Sequence, residues 1–255
     1  MAKILATANQ KGGVGKTTSC VNLCAALHQL GKRVLLVDGD PQGNASTGMG
    51  VSKATRPNTY DMMINQTPAA DCVVHTPYGD VIPASKELAA ASVELIDAEN
   101  REYVLKNALL SLYSDYDYIF IDCPPSLELL TVNALVAADS VVIPMQCEYY
   151  ALEGIADLIT SIRMTKKRLN RRLDVEGIIL TMYDARANLT TQVADELRSH
   201  LAGKVYDTVV PRSIRLSEAP SHGKPGIVYD RFNRGSRAYM QLAEEFIKRS
   251  EGGEV

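Results

Sequence analysis

Tryptophan is missing from this chain and phenylalanine occurs only three times, so aromatic bulk cannot dominate its core or an exposed binding face. No stretch approaches the roughly 20 apolar residues that a membrane span requires. The first residues run straight into an apolar segment, which leaves no room for a secretory leader. The five cysteines (Cys20, Cys24, Cys72, Cys123 and Cys147) form no C-x-x-C pair, so zinc ribbons and thioredoxin-like chemistry lack support. That odd, scattered set suits a reducing, cytoplasmic compartment. Cys20 and Cys24, one helical turn apart, read as small core residues. A formal charge of −3 excludes a protein that is basic all over, so nucleic acid could be held only by a local patch. Repeats, low-complexity tracts and separating linkers are absent too, and the 255 residues, 1–255, read as a single domain.

What is present is an alternation. Short β-branched apolar runs at 4–8, 33–37, 81–84, 118–122, 140–145, 177–182 and 205–210 are separated by stretches with helical spacing. Those stretches are 17–30, 86–112, 127–137, 152–169 and 189–201. Uninterrupted apolar strands alternating with helices predict an α/β fold, a three-layer, doubly wound, mostly parallel sheet covered on both faces. Segments 39–58 and 211–233, rich in Gly, Ser, Asn and Pro, are predicted to be long functional loops, and 251–255 to fray.

One more absence is informative. The common phosphate-binding loop G-x-x-x-x-G-K-[ST] needs a glycine five residues before Gly15, where this chain has Gln10. In its place stands a second lysine, in Lys11-Gly12-Gly13-Val14-Gly15-Lys16-Thr17-Thr18, between an apolar strand and a helix. Glycines let backbone N–H groups converge on an anion, and the helix N-terminus adds partial positive charge. Lys16 would reach the β- and γ-phosphates of ATP and the Thr17 hydroxyl would ligate Mg²⁺. Lys11 is either a solvated loop lysine or a second cation that, beside a triphosphate already served by Lys16, needs another use.

Two apolar strands end in aspartate. The run Tyr118-Ile119-Phe120-Ile121-Asp122 delivers a carboxylate toward a Mg²⁺ shell, and Cys123-Pro124-Pro125-Ser126 makes a stiff turn near the γ-phosphate. The run Val34-Leu35-Leu36-Val37-Asp38 continues through Gly39 to Asp40, two carboxylates fit to support the metal shell and to orient an attacking water. Taken without the loop, D-G-D-P is a good turn sequence.

Four ordered motifs, K-G-G-V-G-K-T-T, V-L-L-V-D-G-D-P-Q-G-N, Y-I-F-I-D-C-P-P-S and R-L-S-E-A-P-S-H-G-K-P, resemble the ParA-type partitioning ATPases of the short, Soj-like form, which carry a deviant Walker A P-loop. The resemblance runs over 2–247. It implies a Mg²⁺-dependent ATPase of slow turnover that drives chromosome or plasmid segregation. Lys11 would act in trans across an ATP-sandwich homodimer, Lys16 would bind phosphate, and Thr18 would contact the α-phosphate beside Gly12, Gly13, Val14 and Gly15. Asp40 would orient the water, with Thr17, Asp38 and Asp122 serving the metal, and Met182 and Pro211 would border the adenine. Arg186 and Arg215 would bind double-stranded DNA without sequence preference. A ParB-like centromere-binding protein would stimulate hydrolysis, and the protein would be cytoplasmic and nucleoid-associated. No N-terminal helix-turn-helix extension is expected. Gly39, where many relatives carry a larger apolar residue, implies a more flexible switch.

The sequence holds two basic concentrations: 163–172, six cations without an acid, which doubles as a solvated helix end that suits the helix dipole, and a dispersed group of Arg186, Arg212, Arg215, Arg231, Arg234 and Arg237, mostly on loops. Few aromatics among these cations argue for duplex backbone over stacked single strands. Two alternatives share the loop. A MinD-like membrane-associated ATPase needs a basic, bulky amphipathic C-terminal helix; segment 239–249 is amphipathic, but its mixed charges favour docking on the sheet. A relative of the nitrogenase iron protein needs bridging cysteines, and the sequence around Cys123 and Cys147 does not fit that pattern.

Overall fold

The computed structural model describes residues 1–149 and 151–252. Its strands are β1 (Lys3–Thr7), β2 (Val34–Asp38), β3 (Asp80–Ile82), β4 (Tyr118–Asp122), β5 (Ser140–Gln146) and β6 (Asp174–Thr181). All pair in parallel in the order β3-β2-β4-β1-β5-β6. The helices are α1 (Lys16–Gln29), α2 (Asn44–Gly48), α3 (Thr59–Met63), α4 (Ala91–Glu94), α5 (Val104–Leu109), α6 (Leu129–Ala137), α7 (Ala151–Arg168), α8 (Asn188–His200), α9 (Ile214–Glu218), α10 (Gly226–Tyr229) and α11 (Arg234–Glu251).

Successive strand residues point to opposite faces, so unbroken apolar strands must feed two cores. Ile4, Ala6, Leu35, Val37, Ile119 and Ile121 pack with α3 through α8. Their neighbours Leu5, Val34, Leu36, Tyr118 and Phe120 pack with α1, α2 and α9 through α11. The doubly wound, three-layer reading of the sequence is therefore the architecture observed.

Three expectations need correction. Segment 205–210 is not a seventh strand; it meets β6 at one isolated bridge, Ile178 with Val205, and through the backbone bonds Tyr206 N to Ile178 O at 3.0 Å and Val210 N to Leu180 O at 2.8 Å. The Glu245 carboxylate takes the backbone N–H groups of Asp207 and Thr208, both at 2.9 Å, and holds the middle of the segment away from the sheet edge. Segment 86–112 is not one helix but short α and 3₁₀ turns interrupted at Asn100, whose φ of 55° is left-handed. The Asn133 amide pins the broken segment by bonding Arg101 O and Leu105 N. Glu251 does not fray: its carboxylate accepts from Lys32 at 2.6 Å and from the Tyr118 hydroxyl at 2.9 Å. Residues 253–255 lie outside the described residues.

Helix α11 decides between docking and membrane attachment as uses for the amphipathic tail. Its apolar face, with Tyr239, Leu242, Ala243 and Phe246, is buried against the sheet and α1. Phe246 meets Tyr118 edge-on at 5.2 Å. Among the described residues no helix is long and apolar enough to cross a membrane.

Phe246→Ala should cost about 3–5 kcal/mol of stability, the range for emptying a fully buried aromatic site. Urea unfolding checks this, and a loss below 1 kcal/mol would mean that α11 is not part of the core.

Candidate active site

The site forms where β1, β2 and β4 end together. In register, Thr7, Asp122 and Asp38 lie side by side at the carboxyl edge of the sheet. Beyond it the chain leaves β1 through the glycine-rich loop and enters α1. Gly13 and Gly15 sit at φ of 73° and 86°, a conformation that side-chain-bearing residues rarely adopt. Gly15 is the N-cap of α1 and supplies no side-chain acceptor, and the first turn holds no acid. The leading N–H groups of this 14-residue helix are thus left for an outside anion.

Lys16 is buried, and its Nζ donates to the Lys11 carbonyl at 2.9 Å. Burial pulls its ammonium pKa down, opposed by the negative charge of Asp122 and Asp40. Thr17 Oγ1 donates to Asp122 Oδ2 at 2.7 Å. Asp122 is fully buried, which raises its pKa well above the carboxylate range, with Asp38 adding like charge. Its other oxygen, Oδ1, has no hydrogen-bond partner. A buried orphan oxygen beside a threonine hydroxyl suits a hydrated Mg²⁺, which keeps several waters and takes only a few protein oxygens. Among the described residues no group of three acidic, His or Cys side chains could hold a metal by itself. The missing ligands of such an ion would come from nucleotide phosphates.

Asp38 and Asp40 divide in environment. Asp38 is fully buried and accepts from Ser46 N at 2.8 Å, Ser46 Oγ at 2.6 Å and Asp40 N at 3.2 Å. Burial still pushes its pKa up to about 6. Asp40 is buried slightly less completely, 8% exposed, with Oδ1 accepting from Gln42 N at 2.9 Å. Between them, a Cβ on Gly39 would stand 2.8 Å from Asp122 O, and Gly39 N bonds that same oxygen at 2.9 Å. The glycine therefore permits close approach of two strand ends.

The loop is locked from the far side by residues the sequence reading missed. Thr181 Oγ1 donates to Val14 O at 2.7 Å, and the Gln146 amide donates to Gly13 O at 3.2 Å. Thr59 Oγ1 ties α3 to Asp38 O at 2.8 Å. Their only sequence signal is a polar residue closing a strand or opening a helix. Met182 and Pro211 do meet, in a cavity of about 300 Å³ shared with Gly15 and Thr18. Gly12 has no neighbour within 4 Å of where a Cβ would be, so the loop is open on that side. Lys11 is not drawn into the site; its half-exposed ammonium pairs with Glu148, just past β5. Arg186 and Arg215 are both exposed but are not brought to one cavity. Cys123 and Cys147 are buried, which removes them as ligands of a cluster bridging two surfaces.

A family model described as an AAA domain matches residues 2–175. The chain is 55% identical over 248 residues to the sporulation initiation inhibitor protein Soj of Bacillus subtilis (strain 168), covering 96% of this chain and 98% of that protein. It is 50% identical to the chromosome partitioning protein ParA of Caulobacter vibrioides (strain NA1000 / CB15N), covering 97% and 94%. Among solved structures, cobyrinic acid a,c-diamide synthase from Mycobacterium smegmatis with bound ADP and magnesium superposes with a TM-score of 0.87 at 33% identity, covering 100% of this chain and 97% of that one.

Ser46→Ala removes the Oγ donation to Asp38 and the bond that Oγ accepts from Ala84 N at 3.0 Å. The nucleotide-free variant should lose about 1–3 kcal/mol at neutral pH, where Asp38 is ionised. The deficit should shrink as pH falls through about 6, because protonated Asp38 no longer depends on charge-assisted donors. Denaturant midpoints at pH 5 and 7.5 test this, and a pH-independent deficit would sink the assignment.

Proposed function

The chain belongs to the AAA-domain family, in the Soj and ParA group of chromosome-partitioning ATPases, and from that premise we propose that it works as an ATP-gated dimer whose closed form grips duplex DNA. The chain is an ATPase that uses Mg²⁺. The observation that carries the reading of its site is the convergence of Lys16, the Thr17–Asp122 pair and Asp40 around the open α1 N-terminus. Thr17 and Asp122 fit a Mg²⁺ shell, with Asp38 behind them, and the metal neutralises phosphate charge when bound. Lys16 and the loop N–H groups hold the phosphates, Thr18 reaches the α-phosphate, and Met182 and Pro211 flank the base. Asp40, two residues beyond Asp38 and outside the Thr17–Asp122 pair, orients the attacking water.

Lys11 supplies the dimer. Its partner Glu148 is as exposed as Lys11 itself, 50% against 49%, and an exposed pair of this kind contributes about 0–1 kcal/mol. Exchange of Glu148 for a triphosphate on a facing subunit is therefore downhill. Two subunits closed on two nucleotides bring both sets of surface arginines to one DNA, and doubling the phosphate contacts steepens binding. A ParB-like protein on centromere-like sites then stimulates hydrolysis and release, which places the protein in the cytoplasm on the nucleoid.

Three substitutions test the assignments by light scattering and phosphate release with ATP and Mg²⁺. Lys16→Ala should abolish nucleotide binding. Lys11→Ala should bind ATP but remain a monomer. Asp40→Ala should dimerise and hold DNA while hydrolysing at least 100-fold more slowly, the scale for loss of general base assistance. Normal hydrolysis by Asp40→Ala, or a Lys11→Ala dimer, would overturn the role of that residue.

A further inference from the structure

The broken segment after β3 folds over α3 and leaves a groove of about 630 Å³ between α3, α4 and α5. No residue of the phosphate loop lines it. Its walls are largely apolar, with Met62, Leu95, Ala98, Val104 and Ala108. The same stretches of chain carry Val93, Ile96 and Leu110 out into solvent, each more than half exposed. Apolar surface gathered in this way marks a binding face more often than chance exposure does. Gln66, also on the groove wall, has a left-handed φ of 54°, uncommon for a residue with a long side chain.

Charge narrows the occupant. Among the described residues, Glu94 and Glu99 are the charged side chains lining the groove. Both are exposed and neither forms an ion pair among the described residues; Glu94 accepts only from the Tyr60 hydroxyl, at 3.1 Å. Two uncompensated carboxylates repel nucleic acid and anionic lipid and attract a cation. A second copy of this chain offers its basic segment, 163–172, but the apolar face of α7 is already spent on the core through Ile155, Leu158 and Ile162. Met164 is the exposed large apolar residue left on that helix, too little to fill the groove. The occupant needs an apolar face and flanking cations together, which an amphipathic helix supplies.

We propose that this groove docks a basic, amphipathic helix of a partner protein and that its occupancy is felt at the nucleotide site. The floor helix α3 begins at Thr59, whose hydroxyl donates to Asp38 O at 2.8 Å. The opposite wall is pinned by Asn133 of α6, bonded to Arg101 O at 2.9 Å and to Leu105 N at 3.1 Å. Helix α6 starts just past the Cys123–Ser126 turn. Both walls are therefore tied to segments that leave the ends of β2 and β4, where the buried aspartates lie. The proposal rests on neither the dimer nor the DNA reading.

A labelled synthetic peptide with leucine on one helical face and lysine on the other is titrated with the protein by anisotropy. Wild type should bind it roughly tenfold more tightly than a scrambled peptide of the same composition. Glu94→Lys/Glu99→Lys should weaken binding by about tenfold or more. Ala108→Trp, which fills the groove and leaves its charge alone, should do likewise. Glu153→Lys/Glu244→Lys makes the same change of net charge on exposed residues elsewhere and should bind as wild type does. Equal binding of the scrambled peptide, or equal loss in both charge variants, reduces the contact to net charge and overturns the groove. Self-association of the wild-type protein that Glu94→Lys/Glu99→Lys abolishes would give the groove to a second copy and overturn the partner. Peptide affinity should differ by about fivefold or more between nucleotide-free protein and protein loaded with a non-hydrolysable ATP analogue. Equal affinities in the two states overturn the link through α3.

Discussion

The structure depends on carboxylates held where a folded chain should not tolerate them. Asp38 and Asp122 end adjacent strands in register, both fully buried, with Asp40 two residues beyond and Lys16 facing them. Burial of like charges this close raises their proton affinity and works against the fold. Hydrogen bonds from Ser46 and Thr17 offset part of that cost, and one oxygen of Asp122 is left with none. Such an arrangement is stabilised by whatever brings positive charge and ordered water to the strand ends. A magnesium nucleotide does both, so the strain at the sheet edge and the function of the site are one fact.

Much of the rest serves to hold that edge. Glycine at position 39 lets the backbone of the Asp38–Asp40 segment bond Asp122 O at 2.9 Å. Thr59 fastens the start of α3 to Asp38, and Thr181 and Gln146 fasten the phosphate loop from the β5–β6 side. The loop is thus positioned by both flanks of the sheet, while its outer edge, Lys11 with Glu148, is held only by a half-exposed ion pair. Hydrogen bonds hold the inner side of the loop, while its outer side relies on one exposed pair.

A segment of four residues, 211–214, separates the space that Met182 and Pro211 enclose from a neighbouring cleft lined by Arg186, Arg212 and Arg234. Packed walls of this kind transmit small displacements because interiors are close-packed. The cavity beside Gly15 and Thr18 and the cleft that holds Arg186 therefore share one stretch of backbone as a common wall.

The fold class was legible in the sequence because strands buried on both faces must be apolar at every position, a pattern that needs no tertiary knowledge to see. The loop, the two strand-terminal aspartates and Lys11 were legible for a similar reason: phosphate and metal chemistry restricts both residue type and local spacing. Neighbours distant along the chain decided the rest. Whether 205–210 pairs as a strand depended on Glu245, some forty residues on, and the end of α11 was fixed by Lys32 and Tyr118. Likewise Ser46, Thr181 and Glu148 carry no motif. The sequence by itself determined which chemistry is present and on which elements. Only the tertiary structure decided which charges remain uncompensated, because compensation is set by distance in space and not by separation along the chain.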